Sequence, residues 1–262
     1  MFTEYVNRWG LMPDGLPIVT NSGRLLPVRC NGMPAMLKIA VHEEEAAGAA
    51  LMAWWEGEGA ARVLAHDGAA LLLERAEGGM ALAELARNGR DDEASRIICA
   101  VASKLHAPRP KQPPALTGLS KWFHGLEVNA TAHGGVFAIA AVTARELLAS
   151  PQDVCALHGD IHHNNILDFG QRGWLAIDPK GLVGERGFDY ANLFCNPDSE
   201  TAVRQERFSR RVDVVAAAAG LEHRRLLQWI LAWAGLSASW HVEDGSMPDT
   251  ALAVAHMAIA KL

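Results

Sequence analysis

Apolar residues along this chain change their period near residue 77. Before it they fall in short runs broken by turn signals; after it they recur mostly at helical spacing. Residues 24–30 and 33–40 flank Asn31-Gly32, a strong hairpin signal because both residues tolerate a positive φ. Residues 43–56 read as a helix carrying Ala46, Ala47, Ala49, Ala50, Leu51, Trp54 and Trp55, with Gly57 and Gly59 able to end it. A second hairpin follows, with residues 61–65 and 69–75 about Asp67-Gly68.

Beyond Glu77-Gly78-Gly79 the pattern predicts helices over 80–87, 91–106, 120–133, 136–149, 201–219, 222–240 and 248–262. Ile97, Ile98, Val101, Ala102 and Leu105 share one face of the 91–106 helix, and Pro108 stops it. This arrangement predicts an α+β chain. A small β-rich lobe, residues 1–76, precedes a larger and mainly helical lobe, residues 77–262. Residues 74–79 form the expected hinge, and ligands favour clefts between lobes.

Composition adds little to that picture except by exclusion. Hydrophobic residues make up 50% and charged residues 21% of 262 positions, as in an ordinary globular protein. No apolar run approaches the roughly 20 residues of a membrane span, and the first residues lack the form of a signal peptide. Cys30, Cys99, Cys155 and Cys195 form no CxxC pair, so free thiols in a reducing cytoplasm are expected. A net charge of −6 without a basic stripe argues against nucleic acid as a partner and is compatible with a cationic small molecule.

The chemistry is concentrated in residues 157–179. Asp160 is a candidate base, and Asn165 and Asp178 are candidate oxygen ligands for Mg²⁺. Residues 165–169 and 174–178 read as two strands about the turn Gly170-Gln171-Arg172-Gly173. Folding about Gln171 and Arg172 brings Asn165 opposite Asp178, so an amide oxygen and a carboxylate converge. A competing reading takes His158, His162 and His163 as zinc ligands. The Gly after the first His and the loop-forming Asn164-Asn165 speak against the helix that reading needs.

A phosphate clamp needs a lysine on a rigid strand. Lys38 lies in the apolar run Met36-Leu37-Lys38-Ile39-Ala40, and Glu45 follows near a helix start, with Glu43 and Glu44 as competitors. A snorkelling edge lysine is the plainer alternative. Residues 19–24 hold the one candidate phosphate loop, in which Ser22 and the N–H of Gly23 would cap a phosphate, with an ordinary turn as the equal alternative. Glu74 to Ala76 would offer backbone groups to adenine. These features together predict bound ATP and Mg²⁺.

The order Lys38, Glu45, Leu72-Leu73-Glu74, His158-Gly159-Asp160, Asn165 and Asp178 resembles the aminoglycoside phosphotransferase family. The stretches 157–166, 172–179, 181–185, 188–192 and 234–238 look like its streptomycin 6-kinase and hydroxyurea-kinase branch. The resemblance implies a protein-kinase-like two-lobe fold. It also implies an ATP-dependent O-phosphotransferase acting on streptomycin at the 6-position, with hydroxyurea, another aminoglycoside or a metabolite as alternative acceptors. Asp160 would be the base, Asn165 and Asp178 would hold Mg²⁺, and Lys38 would contact phosphates and pair with Glu45. His158 and Asp189 would brace the catalytic loop. The chain departs from protein kinases at Gly159 and at Pro179-Lys180, so no phosphorylated activation loop is expected.

A cationic acceptor needs carboxylates and flat apolar surfaces. Glu185, Glu243, Asp244 and Asp249 are the candidate carboxylates beyond Asp160. Trp229, Trp233, Leu236 and Trp240 share a helical face that reads first as core, with room for one Trp at a pocket. A nucleotide-binding pseudoenzyme is the main alternative outside catalysis; the intact polar set argues against it.

Overall fold

The computed structural model describes residues 1–20, 23–41 and 45–262. In chain order its elements begin with α1 (Phe2–Arg8), β1 (Met12–Pro13), β2 (Ile18–Val19), β3 (Gly23–Cys30), β4 (Met33–Ala40), α2 (Glu45–Trp55), β5 (Val63–Asp67) and β6 (Ala70–Glu74). The second part runs through α3 (Leu82–Arg87), α4 (Asp91–His106), β7 (Thr117–Gly118), α5 (Leu119–Trp122), α6 (His124–His133), α7 (Gly135–Ala149) and β8 (Val154–Leu157). It continues with β9 (Ile166–Asp168), β10 (Trp174–Ala176), β11 (Leu182–Glu185), α8 (Gly187–Ala191), α9 (Ser199–Ala202), α10 (Gln205–Ala219), α11 (His223–Glu243) and α12 (Asp249–Ile259). No helix among the described residues is long and apolar enough to cross a membrane.

The first lobe is an antiparallel sheet of order β1-β3-β4-β6-β5, with β2 on β3. Cys30 pairs with Met33 across Asn31 and Gly32, whose φ values of 50° and 79° make the expected two-residue turn. Side chains of β4 alternate between faces. Ala35, Leu37 and Ile39 join Leu26, Val28 and Leu72 in a core covered by Phe2, Tyr5, Val6 and Trp9. Met36, Lys38 and Ala40 therefore face the other way, into the interlobe cleft. The period-2 pattern thus delivers one lysine to the cleft among apolar neighbours.

The second lobe is built around α11, whose interior residues from Trp229 to Ser239 are all buried. Fully burying a Leu, Ile or Val contributes about 1.5–3 kcal/mol, so this helix is a main source of the lobe's stability. Helices α6, α7, α8 and α12 pack on it. A three-stranded sheet of order β7-β11-β8 and the β9–β10 hairpin sit where the lobes meet.

The lobes approach without intervening side chains at two points. A Cβ added at Gly48 of α2 would lie 2.1 Å from the Pro179 carbonyl oxygen, and one at Gly181 would lie 2.7 Å from the Ala47 Cβ. Only glycine permits such backbone approach. Ala176 adds a hydrogen-bonded link, donating to Gly59 O and accepting from Ala61 N, both at 2.9 Å.

Two sequence expectations change here. The 120–133 helix breaks at Phe123 into α5 and α6, and the 201–219 helix divides at 203–204 into α9 and α10. The β9–β10 hairpin is one residue out of the expected register. Ile166 pairs with Ala176 and Leu167 with Leu175, so Asn165 falls opposite Ile177, whose N–H it accepts at 2.9 Å. The cause is the turn: Gly170–Arg172 forms a 3₁₀ turn, and Phe169 donates to Gly173 O at 2.9 Å.

Candidate active site

A cavity of about 810 Å³ separates the lobes, within the range of roughly 300–1,000 Å³ of small-molecule sites. Leu25, Met36, Leu71, Leu73, Leu167, Phe169 and Ile177 give it apolar walls, and Glu74, Arg75 and Ala76 line one end. Lys38, Glu45, Asn165 and Asp178 line the polar part.

Lys38 Nζ lies 2.5 Å from Glu45 Oε2 and also contacts Asp178 Oδ1. Strand β4 supplies the lysine, the first turn of α2 the glutamate, and the segment after β10 the aspartate. Burial alone would raise the Asp178 carboxyl, but the Lys38 ammonium outweighs it and holds the group below the usual carboxylate range. A one-residue register change would ordinarily move Asp178 to the opposite face. Asp178 lies beyond the end of β10, however, with φ at 62°, and this left-handed conformation, which aspartate tolerates better than most residues, leaves its carboxylate at Lys38.

Asp160 is held from two sides. Asn165 Nδ2 donates to Asp160 O at 2.9 Å and to Oδ2 at 3.2 Å, and Asn192 Nδ2 donates to Oδ1 at 2.8 Å. Asn196 Nδ2 in turn donates to Asn192 Oδ1 at 2.9 Å. With its amide N–H₂ engaged on Asp160, Asn165 presents its oxygen as the remaining polar atom. One asparagine thus links Asp160 to the cavity that holds Asp178.

The loop that carries Asp160 is braced from behind. His158 is fully buried, and burial lowers its pKa, so the ring is neutral. Its Nε2–H donates to Ile177 O at 2.8 Å, and Nδ1 accepts from Asp160 N at 3.2 Å. Asp189 accepts the N–H of His158 at 2.9 Å and of Gly159 at 2.7 Å. The three histidines do not converge. His158 stacks on Trp55, His162 Nδ1 accepts from Asn164 N at 3.2 Å, and the His163 ring lies in the interior.

A second cavity, of about 330 Å³, opens on the other side of Asp160. Trp122, Trp233, Ser237, Trp240, Asn192, Asn196, His162 and Lys180 line it with Asp160. The Trp122 and Trp233 rings each meet Trp240 edge to face, at 5.8 and 6.4 Å. Of the tryptophan stripe on α11, Trp233 and Trp240 thus face this cavity, while Trp229 and Leu236 are core.

Several expected site residues lie elsewhere. Glu185 corrects the expectation of a substrate carboxylate. It is buried at the end of β11, where Arg225 Nη2 at 2.5 Å, Trp229 Nε1 at 2.6 Å and Gln152 N at 2.9 Å occupy its oxygens. Glu243 Oε1 accepts from Asn129 Nδ2 at 3.2 Å and ties α11 to α6. Asp244 caps α11 in an exposed position, and Asp249 starts α12, also exposed; neither they nor Glu243 line either cavity. The Glu74 carboxylate is taken by Arg62 N at 2.6 Å and by Arg172, leaving its backbone at the cavity wall. Ser22, Glu43 and Glu44 lie outside the described residues. The Gly23 N–H, expected for a phosphate, donates to Thr20 Oγ1 at 3.1 Å. Asn192 was not singled out from the sequence. Its signal is its place three residues after Asp189, on the same helical face.

The donor set fits a magnesium nucleotide. One carboxylate and one amide oxygen suit Mg²⁺, which takes most of its remaining ligands from waters and phosphates, and Lys38 would supply a cation for the phosphates. Bound there, Mg²⁺ would supply the Lewis acid that polarises the phosphoryl group of ATP.

Residues 8–245 match the family model described as aminoglycoside/hydroxyurea antibiotic resistance kinase. The chain is 53% identical over 245 residues to streptomycin 3''-kinase from Klebsiella pneumoniae, covering 92% of each. It is 31% identical to streptomycin 6-kinase from Streptomyces griseus, covering 98% of this chain and 86% of that one. Among solved structures it resembles a thermostable mutant of the aminoglycoside phosphotransferase APH(4)-Ia in a ternary complex with ADP and hygromycin B. That match has a TM-score of 0.66 at 14% identity and covers 98% and 96% of the two chains. The chain belongs to the aminoglycoside/hydroxyurea antibiotic resistance kinase family.

Proposed function

We propose that this protein is an ATP-dependent O-phosphotransferase that phosphorylates streptomycin. The observation that carries the reading is the position of Asp160, fixed by Asn165 and Asn192 between a nucleotide-sized cavity and a tryptophan-lined one. Asp160 accepts the proton of the acceptor hydroxyl. The acceptor oxygen then bonds to the terminal phosphorus, the bond to the bridging oxygen breaks, and the electron pair leaves on ADP. Asp178 and Asn165 would hold Mg²⁺, and Lys38 would offset phosphate charge. The tryptophan rings that line the second cavity suit a cationic acceptor.

Identity of 53% to a 3''-kinase against 31% to a 6-kinase favours the 3''-hydroxyl over the 6-position that the motifs alone suggested. ADP release measured with streptomycin, hygromycin B and hydroxyurea tests the acceptor, and NMR of the product locates the phosphate. ADP release with none of the acceptors would sink the proposal; turnover of hydroxyurea alone would move it to the other substrate in the family's description.

A further inference from the structure

Lys180 stands where the two cavities meet. It lines the acceptor cavity with Asp160, Gly159 and His162, and its Nζ lies 3.5 Å from Glu45 Oε1. The other oxygen of Glu45 holds Lys38 Nζ at 2.5 Å. One carboxylate therefore spaces two ammonium groups, one on the nucleotide side and one on the acceptor side.

The backbone around Lys180 is unusually fixed for a turn. Its N–H donates to His158 O at 2.6 Å. Pro179 before it packs on Gly48, Gly181 after it packs on Ala47, and the Lys180 Cβ lies against Gly159, where an added Cβ would be 3.0 Å away. A solvated lysine needs none of this. Lys111, by contrast, is 69% exposed against 27% for Lys180. The Asp178 and Asp160 carboxylates both act on the Lys180 charge, so the ammonium stands near each of them.

We infer that Lys180 is a second phosphate-binding cation, taking the terminal phosphoryl group on its acceptor side while Lys38 serves the inner phosphates. The inference rests on the kinase reading above. Lys180 gives up no atom and gains none. Bond making to the acceptor oxygen, bond breaking to the bridging oxygen and proton transfer to Asp160 are unchanged, and the ammonium offsets charge on the transferring oxygens.

Binding separates this role from a structural one. The full chain is titrated calorimetrically with Mg·ADP and with Mg·adenylyl imidodiphosphate, which keeps a third phosphate. Lys180→Met is expected to weaken the triphosphate analogue about tenfold, the size of one charged hydrogen bond, and to leave ADP within about twofold. Lys180→Arg is expected to keep most of the analogue affinity. Equal loss for both nucleotides, or no loss for the analogue, overturns the inference. Wild-type protein that binds neither nucleotide overturns the kinase reading itself, a separate and recognisable result.

Discussion

His106 Nε2 lies 2.8 Å from Asp189 Oδ2, the oxygen that also accepts the N–H of His158. The end of α4 thus reaches the loop that carries Asp160 through one buried carboxylate. His106→Leu removes a donor from that carboxylate and is expected to cost about 1–3 kcal/mol in urea unfolding. The kcat of the folded variant should fall as well, because the loop carrying Asp160 loses its anchor. Unchanged stability and kcat would show that Asp189 needs no support from α4.

Asp160→Ala is expected to lower kcat by about 10²–10⁴, the range for loss of a general base. Nucleotide affinity should persist, since Lys38, Glu45 and Asp178 remain. Near-wild-type turnover would remove Asp160 from the mechanism.

Asp178→Asn is the cleaner test of the metal position than Asp178→Ala, because asparagine also accepts the left-handed backbone at φ 62°. Loss of Mg²⁺-dependent nucleotide binding with folding retained is expected in calorimetry. Wild-type Mg²⁺ dependence would count against Asp178 as a ligand.

Glu185→Ala removes the carboxylate from the part-buried Arg225, which keeps only the Ser150 and Leu147 carbonyls, and leaves buried Trp229 Nε1 without its acceptor. Breaking one side of a buried pair typically costs about 3–5 kcal/mol. Thermal unfolding should reveal the loss, while KM for the acceptor stays constant in whatever protein folds. A large rise in KM would instead return Glu185 to the substrate.

Asp198 caps α9, accepting Thr201 N at 2.9 Å and Thr201 Oγ1 at 2.6 Å. The Thr201 hydroxyl and Arg87 hold its pKa down at about 2, against 3.8 for the free group. Between those values the unfolded chain binds the proton first, so the stabilisation is complete above pH 4 and fades as pH falls toward 2. Asp198→Ala should cost about 1 kcal/mol at neutral pH and lessen the acid sensitivity of unfolding in that window. A cost that is the same at pH 2 and pH 7 would contradict the linkage.

Local pattern carried much of the fold into view. The Asn31-Gly32 hairpin, the α4 helix and the alternation that turns Lys38 toward the cleft are short-range consequences of side-chain order. Interactions between distant segments were not legible. Strands β8 and β11 pair across 24 intervening residues, and each has only four. Glu185 read as a free carboxylate because its partner Arg225 stands 40 positions away. The hairpin slipped because a 3₁₀ turn and a two-residue turn share the same glycine-rich signal. Even the α1 helix, with Phe2, Tyr5, Val6 and Trp9 at helical spacing, is too short for periodicity alone to separate from loop.

The bare contacts of Gly48 with Pro179 and of Gly181 with Ala47 make the two lobes a matched pair. A chimera that joins this β-rich half to the helical half of a relative would inherit a seam with no room for one extra methyl group. A single alanine on either side would wedge the halves apart and misalign phosphate donor and acceptor, although every group that handles a proton or a phosphate remained in the chain. Recombination between such kinases is therefore limited at two residues that do no chemistry.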